Sequence, residues 1–130
     1  MRAHWFAAHA VYVYEAIRGR QTPITIVENV LLIRAQSAKA ALSAALRLAR
    51  RELKDDPSLT LDGKPARKRF LGVRKIVSCA ADAFDKTSND GLVREIRSGT
   101  EGTYLKYRVS GRAALRSLMA GREVDTSFEE

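Results

Sequence analysis

The run Ile24-Thr25-Ile26-Val27-Glu28-Asn29-Val30-Leu31-Leu32-Ile33-Arg34-Ala35 gives way at Gln36 to Ser37-Ala38-Lys39-Ala40-Ala41-Leu42-Ser43-Ala44-Ala45-Leu46. An apolar, β-branched pattern with a period of about 2 becomes an alanine- and leucine-rich pattern with a period of about 3.6. A strand running straight into a capped helix confines the chain to an α+β layout, a sheet covered by at least one helix. Read along its length, the chain predicts an antiparallel sheet of about four strands in the order β-β-α-β-β. One main helix covers it, and a short helix lies near the C-terminus.

The first strand runs from Trp5 to Ile17. Trp5, Val11, Val13 and Ile17 fall on one face, and Phe6, Tyr12 and Tyr14 on the other. A strand apolar on both faces needs cover on both. The second cover is expected from the C-terminal helix or from another copy of the chain, the latter making a homodimer. Arg18-Gly19-Arg20-Gln21-Thr22-Pro23 reads as the turn into the second strand.

Ser37 is placed to cap the helix. Ala38, Ala41, Leu42, Ala45, Leu46, Ala49 and Leu53 form its expected buried stripe, and the helix should stop at Asp55-Asp56-Pro57. Asp62-Gly63 signals a turn. The third strand is expected from Arg69 to about Ala80, with Leu71, Val73, Val77 and Cys79 on one face and Phe70, Gly72, Arg74 and Ile76 on the other. Phe84 is a candidate anchor between residues 81 and 99, and Thr87-Ser88-Asn89-Asp90-Gly91 reads as loop. The fourth strand, Thr103 to Ser110, should hold Thr103, Leu105, Tyr107 and Val109 inward. Leu115, Leu118 and Met119 suggest a helix ending at Gly121. Residues 1–121 read as one domain, and 122–130 as an acidic, frayed tail.

Hydrophobic residues at 45% and charged residues at 29% exclude a globally disordered chain. The single cysteine, Cys79, excludes an internal disulfide and suits a reducing compartment. No apolar run approaches the ~20 residues that cross a bilayer. The stretch Trp5 to Ala10 is too short for a signal-peptide core and contains His9. The expectation is a cytoplasmic protein with no membrane partner.

The net charge of +8 is unevenly spread: +2 over residues 1–36, +7 over 37–76 and −1 over 77–130. The positive field therefore comes from the first helix and the segment after it, and it would attract anionic partners.

An ordered set of residues resembles a known family. It begins with Trp5-Phe6, continues through Glu28 and Leu32-Ile33-Arg34-Ala35, and passes Ser37 into Ala41 and Ala45. Phe70-Leu71-Gly72-Val73, Ile76, Ser98-Gly99-Thr100-Glu101 and Tyr104 complete it. The set resembles domain of unknown function 4288, an uncharacterised bacterial family, over roughly residues 5 to 109. The resemblance implies a small soluble bacterial domain and brings no activity with it. The chain departs from the pattern at Arg67-Lys68-Arg69 and in its C-terminal extension.

His4 and His9 point to opposite faces of a strand and have no Cys or carboxylate nearby in sequence, which speaks against a shared metal. Cys79 reads as a buried small hydrophobe rather than a catalytic thiol. Asp82, Asp85 and Asp90 lack the spacing of a calcium loop. No catalytic residue, metal or cofactor is therefore expected.

Glu28 interrupts an apolar strand, so it needs water or a partner. A salt bridge to Arg74 or Arg108 is the favoured reading. A dyad with Glu101, able to shift one pKa for acid/base chemistry, is the alternative that would make an enzyme. The leading functional candidate is a basic face formed by Lys39, Arg47, Arg50, Arg51, Lys54, Arg67, Lys68 and Arg69. It suits an acidic protein partner for a small non-catalytic accessory protein. The alternative is a nucleic acid held mainly through its phosphates.

Overall fold

The hairpin closes from His4 opposite Ala35 to Tyr14 opposite Thr25, joining β1 (His4–Ala16) antiparallel to β2 (Ile24–Ala35). The computed structural model describes residues 4–18, 24–53, 56–79 and 98–128, apart from 123 and 125. The expected turn residues 19–23, the helix-end residues 54 and 55, and everything from 80 to 97, Phe84 and the three aspartates included, lie outside the described residues. After β2 come α1 (Ala38–Arg51), β3 (Thr60–Leu61), β4 (Lys64–Ser78), β5 (Thr100–Val109), α2 (Arg112–Met119) and β6 (Ser127–Phe128). The sheet is antiparallel, in the order β3-β4-β1-β2-β5-β6. The α+β architecture with two helices is as the sequence predicts. The strand list differs, with a two-residue strand at each margin.

Asp62 and Gly63 both take positive φ, 52° and 78°, between the paired residues Leu61 and Lys64. A two-residue hairpin loop with left-handed conformation at both positions matches the twist of its strands. That is why β4 starts at Lys64, five residues before the expected Arg69. Ser37 caps α1 by accepting from the Ala40 N–H at 3.1 Å. Gly121, with φ 81°, ends the turn after α2, where its N–H donates to the Leu118 carbonyl and that of Arg122 to the Ser117 carbonyl.

β1 carries two cores. Phe6, Ala8, Ala10 and Tyr12 join Leu31, Ile33, Ala41, Ala45 and Ala49 beneath α1. Val11 and Val13 join Ile24, Ile26, Tyr107, Val109 and Leu118 beneath α2. The second cover expected for this strand is thus the C-terminal helix. The α1 stripe is narrower than its periodicity suggests. Ala41, Ala45 and Ala49 are fully buried, whereas Ala38 is exposed and Leu42 and Leu53 are each 37% exposed. Alanine on the helix meets Ala8 and Ala10 on the strand, and this small-on-small line sets the rotation of α1.

β4 departs from strict alternation. Opposite β1, the register skips Leu71 between Phe70 and Gly72, and skips Arg74 between Val73 and Lys75. Each skipped residue is a bulge, and each bulge reverses the facing of the residues after it. Phe70, Val73 and Ile76 therefore pack together on the α1 core, and Leu71 on the α2 core. Val77 is exposed and Cys79 is partly exposed just beyond the strand, in place of the expected buried face. Among the described side chains of β5, Tyr107 and Val109 are buried; Thr103 and Leu105, expected inward, are exposed. Ile17, at the end of the first hairpin strand, is also exposed.

Candidate functional site

Two groups of charged side chains stand on opposite sides of the sheet. On the α2 side, Glu28 sits mid-strand at 0% exposure. The Arg74 Nε donates to its Oε1 at 2.7 Å, and the Tyr107 hydroxyl donates to the same oxygen at 2.7 Å. The His9 Nδ1 lies 2.6 Å from Oε2. An ionised carboxylate only accepts, so the His9 Nδ1 is the donor in this contact. Burial pushes the Glu28 carboxyl up, but the bonds from Arg74, Tyr107 and His9 outweigh it and hold it below the ordinary range. The same contact raises the Arg74 guanidinium, and burial followed by Glu28 raises the Tyr107 hydroxyl. The bulge at Leu71 turns the Arg74 side chain onto the α2 side, where strict alternation would set it with Phe70.

The salt bridge expected from Glu28 is therefore present, and its cation is Arg74. The dyad with Glu101 is not formed. Glu101 pairs with Leu31, whose side chain is in the α1 core, so Glu101 lies on the other side of the sheet and is exposed. His9 has a carboxylate partner after all, one that sequence distance concealed. It stands opposite Val30, two positions from Glu28, so a diagonal reach joins them. The hairpin register was the signal that could have found it. His4 is exposed on the opposite side of the strand. Among the described residues, no group of three or more His, Cys, Asp or Glu is placed to hold a metal.

The eight candidate basic residues do not share one surface. Arg67 and Arg69 stand on the α2 side, where both contact Glu15, at 3.3 Å and 2.6 Å. Burial pushes the Glu15 carboxyl up, and the two arginines bring it below its usual value. Lys68 points the other way, its Nζ 4.3 Å above the ring centre of Tyr12. Burial lowers the pKa of this ammonium. Tyr12 in turn donates to the Ala49 carbonyl at 3.0 Å, pinning the last turn of α1 to the sheet. Burial, with the charges of Glu52 and Glu101 adding to it, pushes the Tyr12 hydroxyl up to about 12.

Lys39, Arg47, Arg50 and Arg51 remain, all exposed on α1, and none has an ion pair among the described residues. Lys54 lies outside the described residues. The helix contains no acidic residue. Arg50 and Arg51 sit in its last turn, where the helix dipole welcomes cations; Lys39 sits in the first turn, where the dipole opposes one. The four charges extend over about 18 Å of helix.

No helix among the described residues is long and apolar enough to cross a membrane. No curated protein and no solved structure matches the chain. The family model described as domain of unknown function (DUF4288) matches residues 5–89, which hold β1 from Trp5 onward, β2, α1, β3 and β4 but not Ser98-Gly99-Thr100-Glu101 or Tyr104. With more than half its length inside that match, the chain belongs to the DUF4288 family.

Proposed function

We propose that the protein is a small non-catalytic interaction protein that binds an acidic protein partner through the outer face of α1. The observation that carries this reading is the row Lys39, Arg47, Arg50 and Arg51 on a helix without acids, none of which has an ion pair among the described residues. On β4, by contrast, three arginines are paired: Arg67 and Arg69 with Glu15, and Arg74 with Glu28. Uncompensated charge on one rigid element favours fast, oriented encounter with an anionic surface. Lys39 adds to the argument, because its position at the helix start weakens the helix slightly and so serves something other than stability.

A second reading is a nucleic acid held through its phosphates, and the linear spread of four cations along α1 supports it. Base stacking beside them has less support. Tyr12 and Tyr107 are buried, and the exposed Tyr104 stands on β5, whereas α1 packs over β4, β1 and β2.

Fluorescence anisotropy separates the two, with labelled polyglutamate, single-stranded DNA, duplex DNA and RNA titrated from low salt to about 0.15 M. The acidic-protein reading expects polyglutamate to bind at least as tightly as any nucleic acid, and Arg50→Glu to weaken it. Submicromolar nucleic-acid binding that persists at the higher salt and falls with Arg50→Glu would put the second reading first. No binding to any probe would reduce the face to a solvated surface.

A further inference from the structure

β4 stands at the margin of the sheet over most of its length. β3 pairs with it only at Lys64 and Pro65, and the Ala66 N–H donates to the Leu59 carbonyl. From Arg67 to Ser78 its outer edge has no strand beside it among the described residues. The Cys79 N–H donates to the Trp5 carbonyl, so the odd-numbered residues of β1 aim their backbone at β4. Opposite the even-numbered ones, Lys68, Phe70, Val73, Ile76 and Ser78 therefore turn their own N–H and C=O groups outward. Such a row is a template for another strand.

We propose that the chain forms a two-fold dimer in which the β4 edges of two copies pair antiparallel, centred on Val73. The argument for a second copy is that the two bulges stand symmetrically about this residue. Phe70, Val73 and Ile76 pack on the α1 core, whereas Leu71 packs on the α2 core and Arg74 reaches Glu28 on that side. Arg69, Gly72, Lys75 and Val77 pair with odd-numbered residues of β1 and share the α2 side. From Arg69 to Val77 the order of facing is thus the same in either direction. A two-fold axis perpendicular to the sheet keeps every side chain on its own side, and bulge meets bulge. The outward backbone groups of Phe70, Val73 and Ile76 are evenly spaced and coincide with those of a reversed copy.

Charge selects the same centre. With Val73 opposite itself, Phe70 meets the partner's Ile76, Arg69 the partner's Val77 and Lys68 the partner's Ser78. Arg74 has the space beside the partner's Gly72, and Lys75 lies opposite the partner's Leu71. No cation stands directly opposite a cation. Centring the pair on Gly72 would set Arg69 against the partner's Lys75, and directly opposed like charges destabilise strand pairing. The helix flank above this edge is apolar: Leu48 packs against Gly99 beside β5, so Leu42 and Leu46, on the opposite flank, stand towards β4. The dimer has one continuous sheet with both α1 helices on one side, and it forms whether or not α1 has a partner.

Light scattering on the purified full chain, at about 0.15 M salt and rising concentration, tests the pairing. The expected mass rises from 14.4 kDa towards twice that value. Over the same range, hydrogen exchange followed by NMR should slow at the amides of Phe70, Val73 and Ile76. Val77 is exposed and meets Arg69 of the partner subunit at two symmetric places. Val77→Glu should therefore tighten the dimer about tenfold and Val77→Lys weaken it about tenfold. Thr103→Glu makes a matching change of charge three strands away and should alter the dissociation constant by less than about twofold. Unchanged far-UV circular dichroism will confirm folding of each variant. A wild-type mass that stays at 14.4 kDa into the hundreds of micromolar overturns the proposal; the bulges and charges then serve to keep the edge unpaired. A dimer indifferent to both Val77 variants overturns it equally. So does exchange at the three amides that slows only when polyglutamate is added, which would give the edge to an acidic strand.

Discussion

On the α1 side of the sheet, alanine lies on alanine and every exposed cation of the helix points away from the protein. On the α2 side, a glutamate stands in the middle of the sheet with a cation, a hydroxyl and an imidazole turned inward to hold it. Both sides are rich in basic residues, yet the charges do different work. Arg74, Arg67 and Arg69 are absorbed by carboxylates of the same fold, whereas Lys39, Arg47, Arg50 and Arg51 meet none among the described residues. The net charge of +8 therefore overstates the surface available to a partner, and only the uncompensated part belongs in a binding argument.

The contrast breaks most severely at Glu28. Arg74→Met leaves a buried carboxylate without its cation and should destabilise the protein by about 3–5 kcal/mol in urea unfolding, with binding through α1 retained. Glu28→Gln should fall in the same range, because it strands Arg74. If either variant unfolds at the wild-type midpoint, the cluster is not what holds the α2 side. On the α1 side, Ala45→Leu forces side-chain volume between α1 and the strands and should cost about 1–3 kcal/mol.

Acid separates the two sides further. The folded Glu28 carboxyl titrates below its ordinary 4.5, so its stabilisation is complete above that pH and is lost as pH falls through the lowered value. Glu15 is lowered in the same direction and adds to the loss. Glu28→Gln should flatten the acid limb of the stability–pH curve, and an unchanged limb would contradict the assignment. Tyr107→Phe removes one hydrogen bond to a charged group and should cost about 1.5–3 kcal/mol before any repacking. The smallest stability effect belongs to Arg50→Glu, within about 0.5 kcal/mol, although it should have the largest effect on binding.

Much of the frame was legible from the chain alone. The change of period at Gln36, the Ser37 cap, the Asp62-Gly63 turn and the helix stop at Gly121 are local chemistry, and each stands where expected. The apolar pattern on both faces of β1 correctly demanded two covers. The misplacements arise where a residue's facing depends on a neighbouring strand. Leu71 and Arg74 are single-residue insertions against β1; Gly72, with φ 143°, marks the first, and no glycine adjoins the second. Leu42 belongs to the helix's apolar stripe, yet the alanine seam beneath rotates it outward. The partnership of His9 with Glu28 spans 19 residues and appears only once the hairpin register is known. Arg67-Lys68-Arg69 looked like one basic patch, but strand alternation sends its members to opposite sides.

The division between absorbed and available charge can be observed residue by residue. Backbone amide NMR shifts, followed while polyglutamate is added to the labelled protein at about 0.15 M salt, give that map directly. The account predicts changes concentrated at Lys39, Ser43, Arg47, Arg50 and Arg51, with Arg67, Arg69 and Arg74 unmoved. Changes centred on β4, or none along α1, would contradict it.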